Sequence, residues 1–131
     1  MIGLDTNVLV RHIVQDDQKQ ARIASLLLES RCSADEPGSV SLVVLCELVW
    51  VLDRGYGYER STIVQVLRGL LSAEDMRVER SELAWSALNL YEEENADFAD
   101  YVLALCHREQ GAAHTCTFDR RTSGCDLFEL L

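Results

Sequence analysis

Lysine is nearly missing from this sequence. Lys19 is the only one, and every other basic side chain is arginine or histidine. Aspartate and glutamate together number 22 against 12 lysines and arginines, so the formal net charge is −10. Proteins that bind nucleic acid usually carry a basic surface, and this balance taken alone therefore disfavours a nucleic-acid partner. Composition by itself suggests an acidic protein or one with a basic partner.

Paired cysteines and long apolar runs are also missing. The five cysteines form an odd set with no C-x-x-C pair, which argues against a disulfide framework and against a thiolate zinc site. A reducing cytosol fits this pattern, so we expect a cytoplasmic location. No apolar run approaches the roughly 20 residues that span a bilayer. We expect neither a membrane segment nor a targeting segment.

The sequence does contain enough apolar residues for a folded core. They make up 48% of 131 residues, which predicts one globular domain over 1–131. Apolar periodicity alternates between strands and helices, and this predicts an α/β fold, a three-layer α/β/α sandwich with a mainly parallel central sheet. Strands are predicted at 2–5, 38–42, 75–80 and 112–118, and helices at about 18–30, 43–54, 60–71, 82–94 and 97–110. Asp16 or Asp17 and Ser81 are candidate helix caps, and the tail from 123 onward is ambiguous.

Two acids lie at the ends of predicted strands. Asp5 is the last residue of the first predicted strand, and Asp119 comes directly after the last one. In parallel α/β sheets, ligands bind outside the carboxyl ends of the strands, so both positions are candidates for a functional site. Each acid also has a simpler interpretation. Asp5 could cap a short helix, and Asp119 could be a turn residue.

Glu47 lies within a predicted helix of strongly apolar character. Its neighbours three and four positions away are Val43, Val44, Trp50 and Val51. An ionised carboxylate on an apolar face is costly unless a partner compensates it. The alternative is a glutamate at the rim of the core with its carboxylate in water.

Asp97 and Asp100 lie three positions apart and therefore share one face of a helix. This spacing is also that of a capping box, with Asp97 as the N-cap and Asp100 as its third-position partner. We expect Asp100 to take part in chemistry. Asp97 could be a cap, an acid of the outer shell, or both.

These acids are expected to converge on one edge of the sheet. Two carboxylates about 5 Å apart repel by roughly 3 kcal/mol at an effective dielectric constant near 20. A divalent cation would relieve this repulsion, and a set of ligands made only of oxygen selects Mg²⁺ or Mn²⁺. Thr6, Asn7 and Thr117 could then orient the carboxylates from an outer shell.

Four stretches of the chain resemble the PIN-domain nucleases, specifically the VapC-type toxins of bacterial toxin–antitoxin pairs. They are "LDTNVLVR" at 4–11, "SLVVLCELVWVL" at 41–52, "ADFADYVLALCHREQGA" at 96–112 and "TCTFDRR" at 115–121. The resemblance implies a metal-dependent endoribonuclease with one or two Mg²⁺ or Mn²⁺ ions. Its catalytic and metal-binding acids would be Asp5, Glu47, Asp100 and Asp119, with Asp97 as a further candidate ligand. The tail "RRTSGCDLFELL" departs from the family pattern, so the last strand is left open.

The resemblance also implies partners. RNA would be the substrate, and a small antitoxin protein would lie across the acidic groove. A homodimer is expected from the family. Arg11, Arg120 and Arg121 stand beside the acidic motifs and could hold RNA phosphates, although ion pairing with surface acids would account for them equally well.

Two alternatives come from other classes. A haloacid-dehalogenase-like phosphatase also begins with an aspartate after its first strand, but it needs a second aspartate where this chain has Asn7. It also needs a downstream lysine, and Lys19 comes too early. The other alternative is a catalytically silent PIN fold that acts only as a binding module. Metal-dependent cleavage of RNA would separate it from the nuclease.

Overall fold

A computed structural model describes the whole chain, Met1–Leu131, as helices that alternate with short strands. Internal contacts divide the chain into two compact units, Met1–Ser81 and Glu82–Leu131. The single domain expected over 1–131 stays a prediction. No helix combines the length and the apolar character that a membrane span requires. All five cysteines are free thiols, as predicted.

The first unit contains four α-helices and two strands. Its fully buried side chains come mainly from the helices, and they include Leu9, Leu45, Leu48, Ile63 and Leu67. The elements are α1 (Thr6–Val14), α2 (Gln18–Arg31), β1 (Gly38–Val40), α3 (Leu42–Trp50), α4 (Arg60–Ser72) and β2 (Met76–Val78). Helix α1 packs on both α2 and α3.

The strands of the first unit are parallel, as predicted. β1 pairs with β2, and Val40 lies opposite Val78. The predicted strand at 2–5 is only a single parallel bridge between Gly3 and Ser39. Two hydrogen bonds hold it there, since Ser39 N donates to Ile2 O at 2.7 Å and Leu4 N donates to Ser39 O at 2.9 Å. Residue 5 therefore still follows a segment that runs beside β1.

Gly38 allows this close packing at the start of β1. A Cβ atom at this position would lie 2.7 Å from Leu4 Cδ1 and 2.9 Å from Cys32 Sγ. Both neighbours are buried, so neither side chain has free space to move into. Any larger residue at position 38 would have to displace these two side chains.

Polar caps fix the beginnings of two helices. Asp17, one of the two predicted caps, accepts a hydrogen bond from Gln20 N at 3.0 Å at the start of α2. Ser41 accepts from Val44 N at 3.2 Å at the start of α3. Each bond satisfies a backbone N–H that has no partner inside the helix.

Helix α3 ends in a π-helical turn over Val51–Gly55. Tyr56 N donates to Val51 O, five positions back, at 3.2 Å. The predicted α-helix over 43–54 is therefore α-helical only as far as Trp50. π-helical turns are rare and occur frequently at functional sites.

The second unit contains two helices and two strands around an aromatic core. Tyr91 and Phe98 make an edge-to-face contact with ring centroids 6.1 Å apart, and Tyr101 makes a similar contact with Phe128. The elements are α5 (Ser81–Glu93), which begins at the boundary between the units, α6 (Phe98–Glu109), β3 (Thr115–Thr117), a 3₁₀ turn (Arg120–Thr122) and β4 (Phe128–Leu130).

The tail left open by the sequence does form a last strand. β4 pairs in parallel with β3, and Leu131 N extends the pairing by donating to Thr117 O at 2.9 Å. The α/β class with parallel strand pairing is thus confirmed. The strands are three residues long and form two separate pairs, so the sheets are smaller than the predicted central sheet.

Candidate active site

Asp5 is the N-cap of α1, as its simpler interpretation predicts. One carboxylate oxygen, Oδ1, accepts a hydrogen bond from Thr6 N at 2.7 Å. The side chain is nevertheless exposed, while Thr6 next to it is buried. A cap role does not exclude a chemical role, because a carboxylate has lone pairs for several partners.

Glu47 is oriented by Thr6. The Thr6 hydroxyl donates to Glu47 Oε1 at 3.1 Å and so links α1 to α3. Glu47 lies on the exposed face of α3, between Val43 and Trp50, which are 68% and 59% exposed. Two of the four apolar neighbours predicted for Glu47 thus face solvent themselves, whereas Val44 is buried. The carboxylate is in water, and no burial cost has to be compensated.

Asp5 and Glu47 line the same open cavity of the first unit. Its volume is about 330 Å³, and Thr6 and Asn7 line it as well. The structure therefore brings together two of the four predicted acids with both of the polar residues of the first motif. The rest of the lining is Val10, Arg11, Val51 and Tyr56.

Tyr56 also lines this cavity, although the sequence did not assign it to the candidate site. Its hydroxyl donates to Asp16 Oδ2 at 2.7 Å and accepts from Arg11 Nη1 at 3.2 Å. The hydrogen bond from Tyr56 is the largest cause that lowers the pKa of the Asp16 carboxyl, followed by the Asp16 backbone N–H and then by the charge of Arg11, against the opposing effect of burial. Arg11, predicted to hold RNA, also donates to Gln20 Oε1 at 2.6 Å. The only sequence signal for a role of Tyr56 in this cavity is the aromatic and glycine-rich stretch "GYGY" at 55–58.

Asp97 and Asp100 form the N-terminal cap of α6. Asp97 is the N-cap residue, and its backbone N–H donates to Asp100 Oδ2 at 3.0 Å. The capping relationship predicted from their spacing is thus confirmed. Burial raises the pKa of the Asp100 carboxyl, and the negative charges of Asp97 and Asp119 raise it further, against the opposing effects of the Asp97 backbone N–H and of Arg121.

Asp119 begins the 3₁₀ turn, as its interpretation as a turn residue predicts. Its Oδ1 accepts a hydrogen bond from Arg121 N at 2.9 Å. Its own backbone N–H donates to Thr117 Oγ1 at 3.0 Å. Thr117 therefore fixes the backbone of Asp119 rather than its carboxylate.

Arg121 lies among the three acids of the second unit. Its guanidinium donates from Nε and Nη2 to Asp119, with Nη2 to Oδ2 at 2.6 Å. It also donates to Asp97 from Nη1 at 3.2 Å and from Nη2 at 3.3 Å. Asp100 Oδ2 lies 3.8 Å from Nη2. The side-chain bond from Arg121 lowers the pKa of the Asp119 carboxyl, and the two carboxylates in turn raise the pKa of Arg121.

The candidate ligands therefore form two acidic groups, one in each unit. Asp5 and Glu47 share a cavity, and Asp97, Asp100 and Asp119 share one guanidinium. In neither unit do three or more His, Cys, Asp or Glu side chains lie close enough together to hold a metal ion. The donor chemistry, carboxylate oxygen throughout, is nevertheless the kind that suits a hard divalent cation. The convergence of all the acids on one site stays a prediction.

Two comparisons with known proteins indicate the same kind of protein. A sequence model of the PIN domain matches residues 2–124, a region that takes in most of both units. The VapC ribonuclease of Aquifex aeolicus (strain VF5) is 29% identical over 118 residues, which cover 90% of this chain and 87% of that protein. No solved structure matches the chain significantly.

Proposed function

This chain belongs to the PIN-domain family, and on that basis we propose that it is a metal-dependent endoribonuclease that hydrolyses RNA phosphodiester bonds. The observation that carries the proposal is the pair Asp5 and Glu47, which line one open cavity and are linked through Thr6. The similarity to a VapC ribonuclease supports RNA as the substrate and supports the role of a toxin in a toxin–antitoxin system. Because the family match runs through both units, we propose that residues 1–131 act as one domain.

One or two Mg²⁺ or Mn²⁺ ions are the cofactor in this proposal. When bound, the metal would supply Lewis-acid stabilisation of charge on the phosphate and increase the acidity of a water nucleophile. Carboxylate oxygen suits these ions better than it suits zinc. The proposed ligands and catalytic acids are Asp5, Glu47, Asp100 and Asp119, with Asp97 as an additional ligand.

The polar neighbours of these acids have positioning roles. Thr6 holds Glu47 with its hydroxyl and Asp5 with its backbone N–H. Thr117 holds the backbone of Asp119. Asn7 lines the cavity of Asp5 and Glu47 and is exposed, so its amide can contact substrate or water there. Such outer partners typically change metal affinity or activity by about 10–100-fold when they are removed.

Arginines would hold the RNA backbone. Arg11 lines the cavity of Asp5 and Glu47, and Arg120 and Arg121 follow Asp119 directly. Their planar guanidinium groups suit bidentate contacts with phosphate. Since the chain has a net charge of −10, we expect the intrinsic affinity for RNA to be weak and strongly dependent on salt.

We further propose a protein partner for the acidic cavity. A second cavity of about 500 Å³ between α1 and α2 shares Asn7 and Arg11 with it and is otherwise mostly apolar. A segment of an antitoxin that filled both cavities would cover Asp5 and Glu47. The exposed Val43 and Trp50 beside Glu47 offer apolar contact area for this partner or for a homodimer. We place the protein in the cytoplasm, where its free cysteines would stay reduced.

An RNA-cleavage assay tests the function directly. Wild type is incubated with total RNA and with a labelled mixed-sequence RNA in Mg²⁺, in Mn²⁺ and in EDTA. The variants Asp5→Asn and Asp100→Asn are compared with Asp35→Asn and Asp126→Asn, matched controls at exposed positions of the first and second unit. Loss of an outer partner typically costs 10–100-fold, so loss of a ligand should cost at least about 100-fold.

We expect cleavage to require the metal. It should be lost in Asp5→Asn and Asp100→Asn and retained in the controls Asp35→Asn and Asp126→Asn. Cleavage that resists EDTA, or that both site variants retain in full, would exclude the proposed mechanism. A wild-type protein that binds RNA but never cleaves it would instead identify a catalytically silent PIN fold. The phosphatase alternative has no support from the family match.

A further inference from the structure

Arg121 is the common partner of the acids in the second unit. One planar guanidinium makes bidentate hydrogen bonds to both Asp97 and Asp119, and it lies 3.8 Å from Asp100. Five N–H donors in a fixed fork allow one arginine to bridge several carboxylates in this way. A single positive charge thus offsets part of three negative ones.

The three carboxylates surround the guanidinium of Arg121 and not a common centre that a metal ion could occupy. Mg²⁺ requires its oxygen ligands at about 2.0–2.1 Å in near-octahedral geometry. The nearest oxygen is 2.6 Å from Nη2, and the others lie at 3.1–3.8 Å from the guanidinium nitrogens. The acids of this unit do not lie close enough together to hold a metal ion in this arrangement. The guanidinium and a metal ion cannot both occupy the space between them.

We propose that Arg121 is a displaceable counter-ion of Asp97, Asp100 and Asp119, and that a divalent cation binds these acids only as the guanidinium leaves. This inference rests on the proposed function, because it concerns ligands of the same metal. Arg121 is a positioning residue in this scheme. It holds the acids in place without metal, and after its release its fork is free to contact an RNA phosphate.

The side chain has a path out of the cluster. Arg121 is 46% exposed and lies in a surface 3₁₀ turn. Its backbone N–H is bound separately to Asp119 Oδ1 at 2.9 Å. The turn can therefore keep its backbone anchor while the side chain rotates into solvent. Displacement needs only a change of side-chain rotamer and no unfolding of the turn.

Metal-binding affinity tests this scheme without RNA. Mn²⁺ is titrated by calorimetry into wild type, Arg121→Gln and Arg120→Gln at one ionic strength. Both variants lose one positive charge at neighbouring positions, and Arg120 is exposed and makes none of these ion pairs. If the guanidinium closes the cluster in about 90% of molecules, its removal should tighten Mn²⁺ binding about tenfold. Arg120→Gln should give only the small effect of net charge.

A second measurement keeps the test decisive if Arg121→Gln does not fold. The Nε–H of Arg121 donates to Asp119 Oδ1 at 3.1 Å, so its NMR signal should be protected from solvent exchange in metal-free wild type. Saturating Mg²⁺ should remove that protection. A signal that stays protected at saturation would overturn the inference.

The outcomes separate this inference from the proposed function. Equal Mn²⁺ affinity in the two variants, with metal-dependent cleavage by wild type, would overturn the displacement scheme and leave the nuclease intact. Weaker Mn²⁺ binding in Arg121→Gln would also overturn it, since the arginine would then support the site. Absence of both Mn²⁺ binding and cleavage in wild type would overturn the two proposals together.

Discussion

The Thr6 hydroxyl donates a hydrogen bond to Glu47 Oε1 over 3.1 Å, although the two residues are 41 positions apart in the chain. The same residue donates its backbone N–H to Asp5. Thr6 is 7% exposed, so water cannot readily replace its hydroxyl. One buried threonine therefore sets the relative positions of two acids, one at the N-cap of α1 and one on α3.

Removal of that hydroxyl should affect catalysis more than folding. Thr6→Val keeps the shape and the backbone bond to Asp5 but loses the donor to Glu47. We expect cleavage to fall by about 10–100-fold and the free energy of unfolding to fall by no more than about 1.5 kcal/mol. Thr6→Ser keeps the hydroxyl and should retain most of the activity. Equal cleavage by the valine variant and wild type would show that Glu47 needs no such partner.

Gly38 should be intolerant of even one added methyl group. Gly38→Ala would place a Cβ within 3 Å of the buried Leu4 and Cys32 side chains. Overpacking of this kind typically lowers the free energy of unfolding by about 1–3 kcal/mol, which urea denaturation would measure.

Gly69→Ala is the matched control for Gly38→Ala. Gly69 is an exposed residue of α4, where a Cβ would meet nothing within 4 Å. This change should stabilise the protein by about 0.5–1 kcal/mol because glycine is a poor helix former. If the two substitutions shift stability in the same direction, the contacts of Gly38 do not explain its effect.

Tyr56 should control the titration of Asp16. The hydrogen bond from Tyr56 is the largest cause of the lowered pKa of Asp16. A carboxyl with a pKa lower in the folded than in the unfolded state stabilises the fold above its unfolded pKa, and this contribution is lost as the pH falls through the folded pKa. Tyr56→Phe should raise the pKa of Asp16 toward its ordinary value and remove this contribution to acid stability.

Carboxyl ¹³C NMR would measure the pKa of Asp16 in both proteins. Asp119, whose pKa is lowered by the side-chain bond from Arg121, serves as the internal reference, because Tyr56→Phe leaves that bond in place. An unchanged pKa of Asp16 in the phenylalanine variant would assign the shift to the neighbouring backbone N–H groups and to Arg11 instead.

Arg120 should contribute to RNA affinity through charge. Arg120→Gln removes one candidate phosphate contact, so the slope of log K against log salt should become shallower by about 0.7 for single-stranded RNA. Filter binding over a salt series, with Ca²⁺ in place of Mg²⁺ to limit cleavage, would measure it. Arg31→Gln, at the end of α2, is the control that should leave the slope unchanged. Parallel salt plots for wild type and Arg120→Gln would remove Arg120 from the RNA interface.

Local signals in the sequence predicted much of this structure. The spacing of Asp97 and Asp100 predicted a capping pair, and the structure contains it. The simpler interpretations of Asp5 as a helix cap and of Asp119 as a turn residue, left open beside a functional role, agree with the structure. These features depend on neighbours within a few positions, which is the range over which backbone preferences act.

Features set by distant contacts could not be predicted in the same way. Apolar spacing placed Val43 and Trp50 around Glu47, but it could not tell that both would be exposed. The bond of Arg121 to Asp97 joins residues 24 positions apart, and no local pattern distinguishes Arg121 from Arg120. The π-helical turn after Trp50 changes the hydrogen-bond register of the backbone, to which side-chain periodicity is insensitive.

Because of the π-helical turn over Val51–Gly55, the direction of the Tyr56 side chain depends more on the length of this segment than on its composition. The turn holds one more residue than an α-helical turn would. Deletion of one residue there would let α3 continue without interruption, but it would rotate every later side chain by about 100° around the helix axis. Tyr56 would then point away from Asp16 and Arg11, its present partners. The surplus residue therefore works as a spacer that sets the direction of the tyrosine.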